Sequence, residues 1–186
     1  MPSLLDVDGF ETLPLWAQTL IAARMVRRGA LAMMADGPRD AHEAIMRGCD
    51  AIERCAAEGD GMHRERRVLG GAVAARVNPG GRAAVDAMRW AIDAAEAAQA
   101  ANDFPVDATV TRSARLAIAA LAHDPRVTPM QVMILLRSDI DQVRFACDEA
   151  GIQTYNGVTG HVLGRLAPVH ALTLTKPAST PESGAR

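Results

Sequence analysis

Few residues in this 186-residue chain are of types that do chemistry, and their spacing matches no common catalytic or metal site. His42 and Cys49 lie seven residues apart, and Cys55 follows six residues later. A zinc site needs a tighter pair such as CxxC together with a second pair of ligands. Small buried apolar residues are the simpler interpretation of both cysteines. We therefore expect no metal and no other cofactor.

Cys147 is the remaining candidate for a nucleophile. A reactive thiolate needs a helix N-terminus or a neighbouring base, but Cys147 falls late in a predicted helix. Its neighbours Asp148 and Glu149 carry negative charge, which raises the pKa of a thiol. The carboxylates elsewhere are scattered over predicted helix surfaces, and no two share the apolar setting that acid–base catalysis requires. The sequence indicates no catalytic residue and favours a protein that is not an enzyme.

Arginine is the residue type that points most directly to a function. Nineteen of the twenty basic residues are Arg, and two clusters of three fall on separate predicted helices. A planar guanidinium pairs with carboxylates through two hydrogen bonds, and arginine is enriched at protein interfaces. We therefore predict that both clusters face outward and bind a protein partner; the alternative is solvation and ion pairing within the chain. The six residues are Arg24, Arg27, Arg28, Arg64, Arg66 and Arg67.

A second hypothesis is DNA binding by residues 139–166. Two predicted helices flank Gly151 in this stretch, as in a helix-turn-helix, and His161 and Arg165 are the side chains that would reach a phosphate or a base. Against it, Pro168 closes the second helix early, and a net charge of −2 supplies no overall basic field to attract nucleic acid. A DNA-binding regulator is the alternative to the favoured protein-binding module.

The elements that position these residues are helices. From Arg82 to Ala101 the chain reads RAAVDAMRWAIDAAEAAQAA, half of it alanine, the strongest helix former. Apolar residues spaced three and four apart mark further helices, so we predict an all-α compact bundle of about six or seven short, mostly antiparallel helices. Thr12 is a candidate cap for the first. The expected ranges are 14–34, 41–58, 62–77, 82–101 and 107–122, then helices starting at Thr128 and Ser138 and a short helix over 158–166.

Composition sets the remaining expectations. Residues 1–172 suit one helical domain, and the Pro/Ser/Gly-rich residues 173–186 are expected to form a disordered tail. Three cysteines are an odd number and favour free thiols in the cytoplasm. The chain has no apolar run near the roughly 18 residues that a membrane span needs. Faces rich in Ala and Met favour self-association, so a homo-oligomer is expected as well.

The first helix also carries a resemblance. Leu13-Pro14-Leu15-Trp16-Ala17 is followed by Ala22-Ala23-Arg24-Met25-Val26-Arg27-Arg28, an LPxWA…AAR…R pattern. It resembles a group of alanine-rich helical bacterial proteins akin to the immunity proteins of toxin–immunity systems. The resemblance implies a helical protein that acts by binding a partner, with no catalytic residues to carry over.

Overall fold

A computed structural model describes residues 9–10, 12–32, 38–77, 81–100, 128–152, 157–166 and 169 of the chain. These residues form helices and no strand, which confirms the all-α prediction. The helices are α1 (Leu15–Ala32), α2 (Arg39–Glu58), α3 (Met62–Val73), α4 (Arg82–Ala100), α5 (Pro129–Ala150) and α6 (Thr159–Arg165). The predicted helix over 107–122 and the predicted tail over 173–186 lie outside the described residues.

The central helix of the bundle is α1, which packs against α2, α4 and α5. Even its polar residues Gln18 and Thr19 are buried. The Gln18 side chain donates a hydrogen bond to the backbone carbonyl of Leu13, and the Thr19 hydroxyl donates one to that of Leu15. A helix that is buried on all sides must satisfy every polar group internally. This constraint decides where the arginines of α1 go.

The alanine-rich helix α4 forms a wall of the bundle. Helical spacing predicts four apolar anchors on it; Val85, Met88 and Ala95 are buried and Ile92 is half-buried. The predicted polar side is exposed, at Arg89, Asp93 and Glu96. Alanine allows close approach between helices, and α4 packs against α1, α2 and α3. Helix α4 therefore contributes small side chains to the core, whereas α1 is the helix at the centre of the bundle.

Two of the predicted helix starts are corrected. Ser138 does not begin a helix, because α5 runs without a break from Pro129 to Ala150 and the Ser138 hydroxyl accepts a hydrogen bond from Gln142. The start at Thr128 is confirmed, with its side chain and that of Gln131 forming a reciprocal capping box. Thr12 does not cap α1; its hydroxyl donates to the carbonyl of Gly9.

The short helix α6 is held against the end of α2 by backbone contact. The Val158 N–H donates to the Ala56 carbonyl at 2.8 Å, which satisfies one of the carbonyls left open at the end of α2. Gly59 ends α2 in the left-handed conformation, with φ of 74°. A β-carbon on Gly157 would lie 2.4 Å from the Gly59 nitrogen, so this crossing requires glycine.

Glycines inside helices allow a test of the packing. We expect G70A and G71A each to raise the free energy of unfolding by about 0.5–1 kcal/mol, because alanine is the better helix former and a β-carbon there meets open space. G48A should instead lower it by about 1–3 kcal/mol through overpacking, because its β-carbon would lie 2.6 Å from that of Ala72. Urea unfolding followed by circular dichroism measures all three. A stabilised G48A would contradict the close contact of α2 with α3.

Candidate functional site

Arg24 and Arg28 of α1 converge on one carboxylate of α5, that of Asp139. The Arg24 Nε donates to Asp139 Oδ1 at 3.2 Å, and the Arg28 Nη2 donates to the same oxygen at 2.8 Å. The Arg28 Nη1 donates to the other carboxylate oxygen, so Arg28 binds Asp139 through both of its terminal nitrogens. Both arginines are 6 % exposed and Asp139 is fully buried. We call these three residues the buried triad.

The buried triad corrects the expectation that the α1 arginines face outward. Arg24 and Arg28 are four residues apart and share one face of α1, the face that packs against α5. A buried guanidinium is tolerated only with a well-aligned counter-charge, and the bidentate geometry supplies it. Three arginines in a helix that is otherwise mostly apolar were a usable signal in the sequence. The partner of Arg24 and Arg28 lies more than a hundred residues away and carried no comparable signal.

Arg27, the third member of the first cluster, pairs with α2. Its Nη2 lies 2.6 Å from Asp50 Oδ1 and 2.9 Å from Glu53 Oε2, and its side chain is only 14 % exposed. Burial acts to lower the pKa of the Arg27 guanidinium, but hydrogen bonds to Glu53 and Asp50 outweigh it and raise that pKa above the usual value. Arg27 thus joins α1 to α2 through charge.

A cavity of about 430 Å³ opens beside these ion pairs, between α1, α2 and α6. Arg24, Arg27, Asp50 and Glu53 contribute its charged wall, and Met46 and Leu163 lie among its apolar lining. The charged side chains of the wall pair with one another or with Asp139. The cavity therefore has a neutralised wall and no nucleophile among these lining residues.

The second arginine cluster, on α3, faces solvent as predicted. Arg64 lies 2.9 Å from Glu58 Oε2 and 2.6 Å from Asp60 Oδ1, an exposed pairing at the start of α3. His63, Arg66 and Arg67 are exposed, and no described residue forms an ion pair with them. These three residues share one side of α3, and we call them the basic face.

The basic face borders a groove between α3 and α4. The groove has a volume of about 330 Å³, and its lining residues are Met62, His63, Arg66, Glu96, Gln99 and Ala100. Glu96 on α4 is exposed across from Arg66. The groove therefore has positive charge on its α3 side and negative charge on its α4 side.

The residues of the DNA-binding hypothesis lie on α6. His161 and Arg165 are exposed, and the Arg165 guanidinium forms an ion pair with Glu149 of α5. Residues 151–158 separate α5 from α6, whereas a helix-turn-helix joins its helices by a turn of about three or four residues. In addition, α6 is a seven-residue helix that packs against α2. This geometry departs from a helix-turn-helix, and DNA binding stays a prediction.

The cysteines are all free and buried. Burial raises the pKa of Cys55 to about 11, with a further contribution from Glu65, and burial together with Asp148 raises that of Cys147 to about 11. Burial also holds the pKa of Cys49 well above its usual value. Among the described residues, no three His, Cys, Asp or Glu side chains are grouped to hold a metal ion.

Comparisons of the chain with protein-family models, with curated proteins and with solved structures found no match. Of the helices in the described ranges, none combines the length and the apolar character needed to cross a membrane.

The buried triad allows a direct test of its role in stability. We expect D139A to lower the free energy of unfolding by about 3–5 kcal/mol, because it leaves two buried guanidinium groups without this counter-charge. The triple variant R24M/R28M/D139L removes all three charges together and replaces them with apolar side chains. It should be about as stable as the wild type or more stable. Denaturant unfolding measures both, and a D139A protein of wild-type stability would contradict the triad.

Thiol reactivity tests the assignment of the cysteines to the core. At pH 8 we expect 5,5′-dithiobis(2-nitrobenzoic acid) to label no cysteine rapidly in the folded protein, because buried thiols with pKa values near 11 form little thiolate. In guanidinium chloride all three should react. A folded protein in which Cys147 reacts at once near neutral pH would instead indicate an activated nucleophile.

Proposed function

We propose that the chain is a non-catalytic protein-binding module that recognises an acidic surface of its partner through the basic face of α3. The observation that carries this proposal is the division of the arginines. Arg24 and Arg28 are committed to the buried triad and Arg27 to α2, whereas Arg66 and Arg67 are exposed and form no ion pair with any described residue. Arginines held at the surface can pair with carboxylates of a second protein.

The shape of the surface supports recognition of a protein rather than of a small substrate. The groove beside the basic face is lined mainly by charged and amide side chains, whereas small-molecule sites are mostly apolar. An exposed surface that carries Arg66 and Arg67 is typical of a protein contact that is steered by electrostatics. We infer an acidic partner surface because Arg66 and Arg67 give the basic face positive charge.

An immunity or adaptor role is the finer proposal. It rests on the LPxWA…AAR…R pattern, whose residues Trp16, Arg24 and Arg28 build the core and the buried triad. The residues of this pattern therefore stabilise the bundle, and a different helix, α3, would bind the partner. Three free, buried cysteines support a reducing compartment, and we propose the cytoplasm.

Charge reversal on the basic face is the test. Proteins encoded by neighbouring genes are mixed with the chain, complexes are isolated by size-exclusion chromatography, and their affinity is measured by calorimetry. We expect R66E/R67E to weaken the complex by about tenfold or more, because each new carboxylate meets an acidic partner surface. Higher salt should weaken the wild-type complex too, since exposed charge pairs are screened.

R39E/R47E is the matched control. Both residues are exposed on α2, and the double change alters the net charge by the same amount as R66E/R67E. It should leave the affinity within about twofold of wild type, which corresponds to well under 1 kcal/mol. Equal losses in both variants would show a general charge effect and overturn the assignment to α3. Turnover of a substrate by the chain without a complex would overturn the module itself.

A further inference from the structure

Helix α5 exposes large apolar side chains on the face opposite its core contacts. Met130, Ile134 and Phe145 are 69 %, 60 % and 66 % exposed, although residues of these types are usually buried. The opposite face of the same helix carries Asp139 of the buried triad and core residues such as Ile140. The apolar residues therefore form a second contact face rather than part of the core.

Two charged residues complete this outer face. Arg137 and Asp141 are exposed, and no described residue forms an ion pair with either. Positions 130, 134, 137, 141 and 145 are spaced by four, three, four and four residues, which places them along one stripe of a helix. We call these five residues the α5 stripe. Its order is apolar, apolar, positive, negative, apolar.

The α5 stripe is complementary to itself when it is reversed. If two copies of α5 pack antiparallel about a two-fold axis midway between Ile134 and Phe145, Ile134 lies level with the partner's Phe145. On the same axis, Arg137 lies within one residue, about 1.5 Å along the helix, of the position level with the partner's Asp141. The two-fold axis repeats each contact. Two Arg137–Asp141 ion pairs therefore lie in the middle of the interface, with one Ile134–Phe145 apolar pair on either side.

We propose that the occupant of the α5 stripe is a second copy of this chain, in an antiparallel homodimer. Any partner of different sequence would have to supply the same order of apolar and charged groups, whereas a second copy supplies it by symmetry. From Met130 to Phe145 the stripe extends about 22 Å, which places the contact in the size class of weak, reversible interfaces. The proposal concerns α5 and is independent of the basic face on α3.

A charge swap tests this pairing. The dissociation constant is measured by sedimentation velocity over protein concentrations from about 1 μM to about 1 mM, a range that covers weak association. R137D and D141R should each weaken self-association by about tenfold or more. Each variant carries the same charge at positions 137 and 141, so both symmetry-related contacts between the copies become repulsive. An equimolar mixture of the two variants should form a heterodimer of wild-type affinity, because both cross-pairs are then opposite in charge.

The double variant R137D/D141R should also regain the homodimer, since it exchanges the two charges within one chain. Circular dichroism of every variant verifies that it is folded, which is expected because both residues are exposed. Single variants that dimerise like the wild type, or a mixture that does not associate more tightly than its components, would overturn the antiparallel pairing.

Truncation of the apolar pair gives a second, independent measurement. F145A should weaken the dimer by about tenfold or more, because the aromatic ring is the largest apolar group of the proposed interface and the two-fold axis repeats its loss. R66E/R67E, which tests the partner surface on α3, should leave self-association unchanged. A wild-type chain that stays monomeric up to the highest concentration would overturn the proposal and leave the stripe to another occupant.

Discussion

The buried triad is the interaction on which the arrangement of the bundle depends. A carboxylate with no exposure and two guanidinium groups that are nearly buried are tolerated only when their geometry is close to ideal, because each charge loses its hydration. Asp139 must therefore face Arg24 and Arg28, and this requirement sets the rotation of α5 about its axis relative to α1. The attraction among buried charges is largely offset by the loss of their hydration, so the apolar core around the triad supplies most of the stabilisation.

The rotation of α5 decides which of its residues reach solvent. With Asp139 bonded to the arginines of α1 and Ile140 buried in the core, the opposite side of the helix presents Ile134 and Phe145, together with the charges between them. The outer face of α5 is thus a consequence of the inner one. The arginines follow from position in the same way. The cluster on the central helix α1 pairs with carboxylates of α2 and α5, whereas the cluster on the peripheral helix α3 stays at the surface.

Several features were predictable from residue types and spacing. The helical class, the buried apolar face of α2 and the capping box at Thr128 all follow from local patterns, because helix propensity, apolar spacing and capping act over a few residues. The core assignment of Cys49 and Cys55 follows from their place on an apolar face. The prediction of a helix start at Ser138 was wrong because a serine followed by an acidic residue is a capping signal only where the helix has not already begun.

The sequence by itself determined the helical class, the apolar faces of most helices and the absence of a tight metal-ligand motif, since these depend on neighbours along the chain. Only the tertiary structure decided which of the arginines in the two clusters stay exposed. An Arg on an apolar helix and an Arg on a polar one have the same chemistry, and their roles diverge only when Asp139, more than a hundred residues away, takes up two of them. The physical reason is desolvation. A charge that loses its water on packing needs a partner of opposite charge, and the spacing of nearby residues does not predict which distant segments pack together.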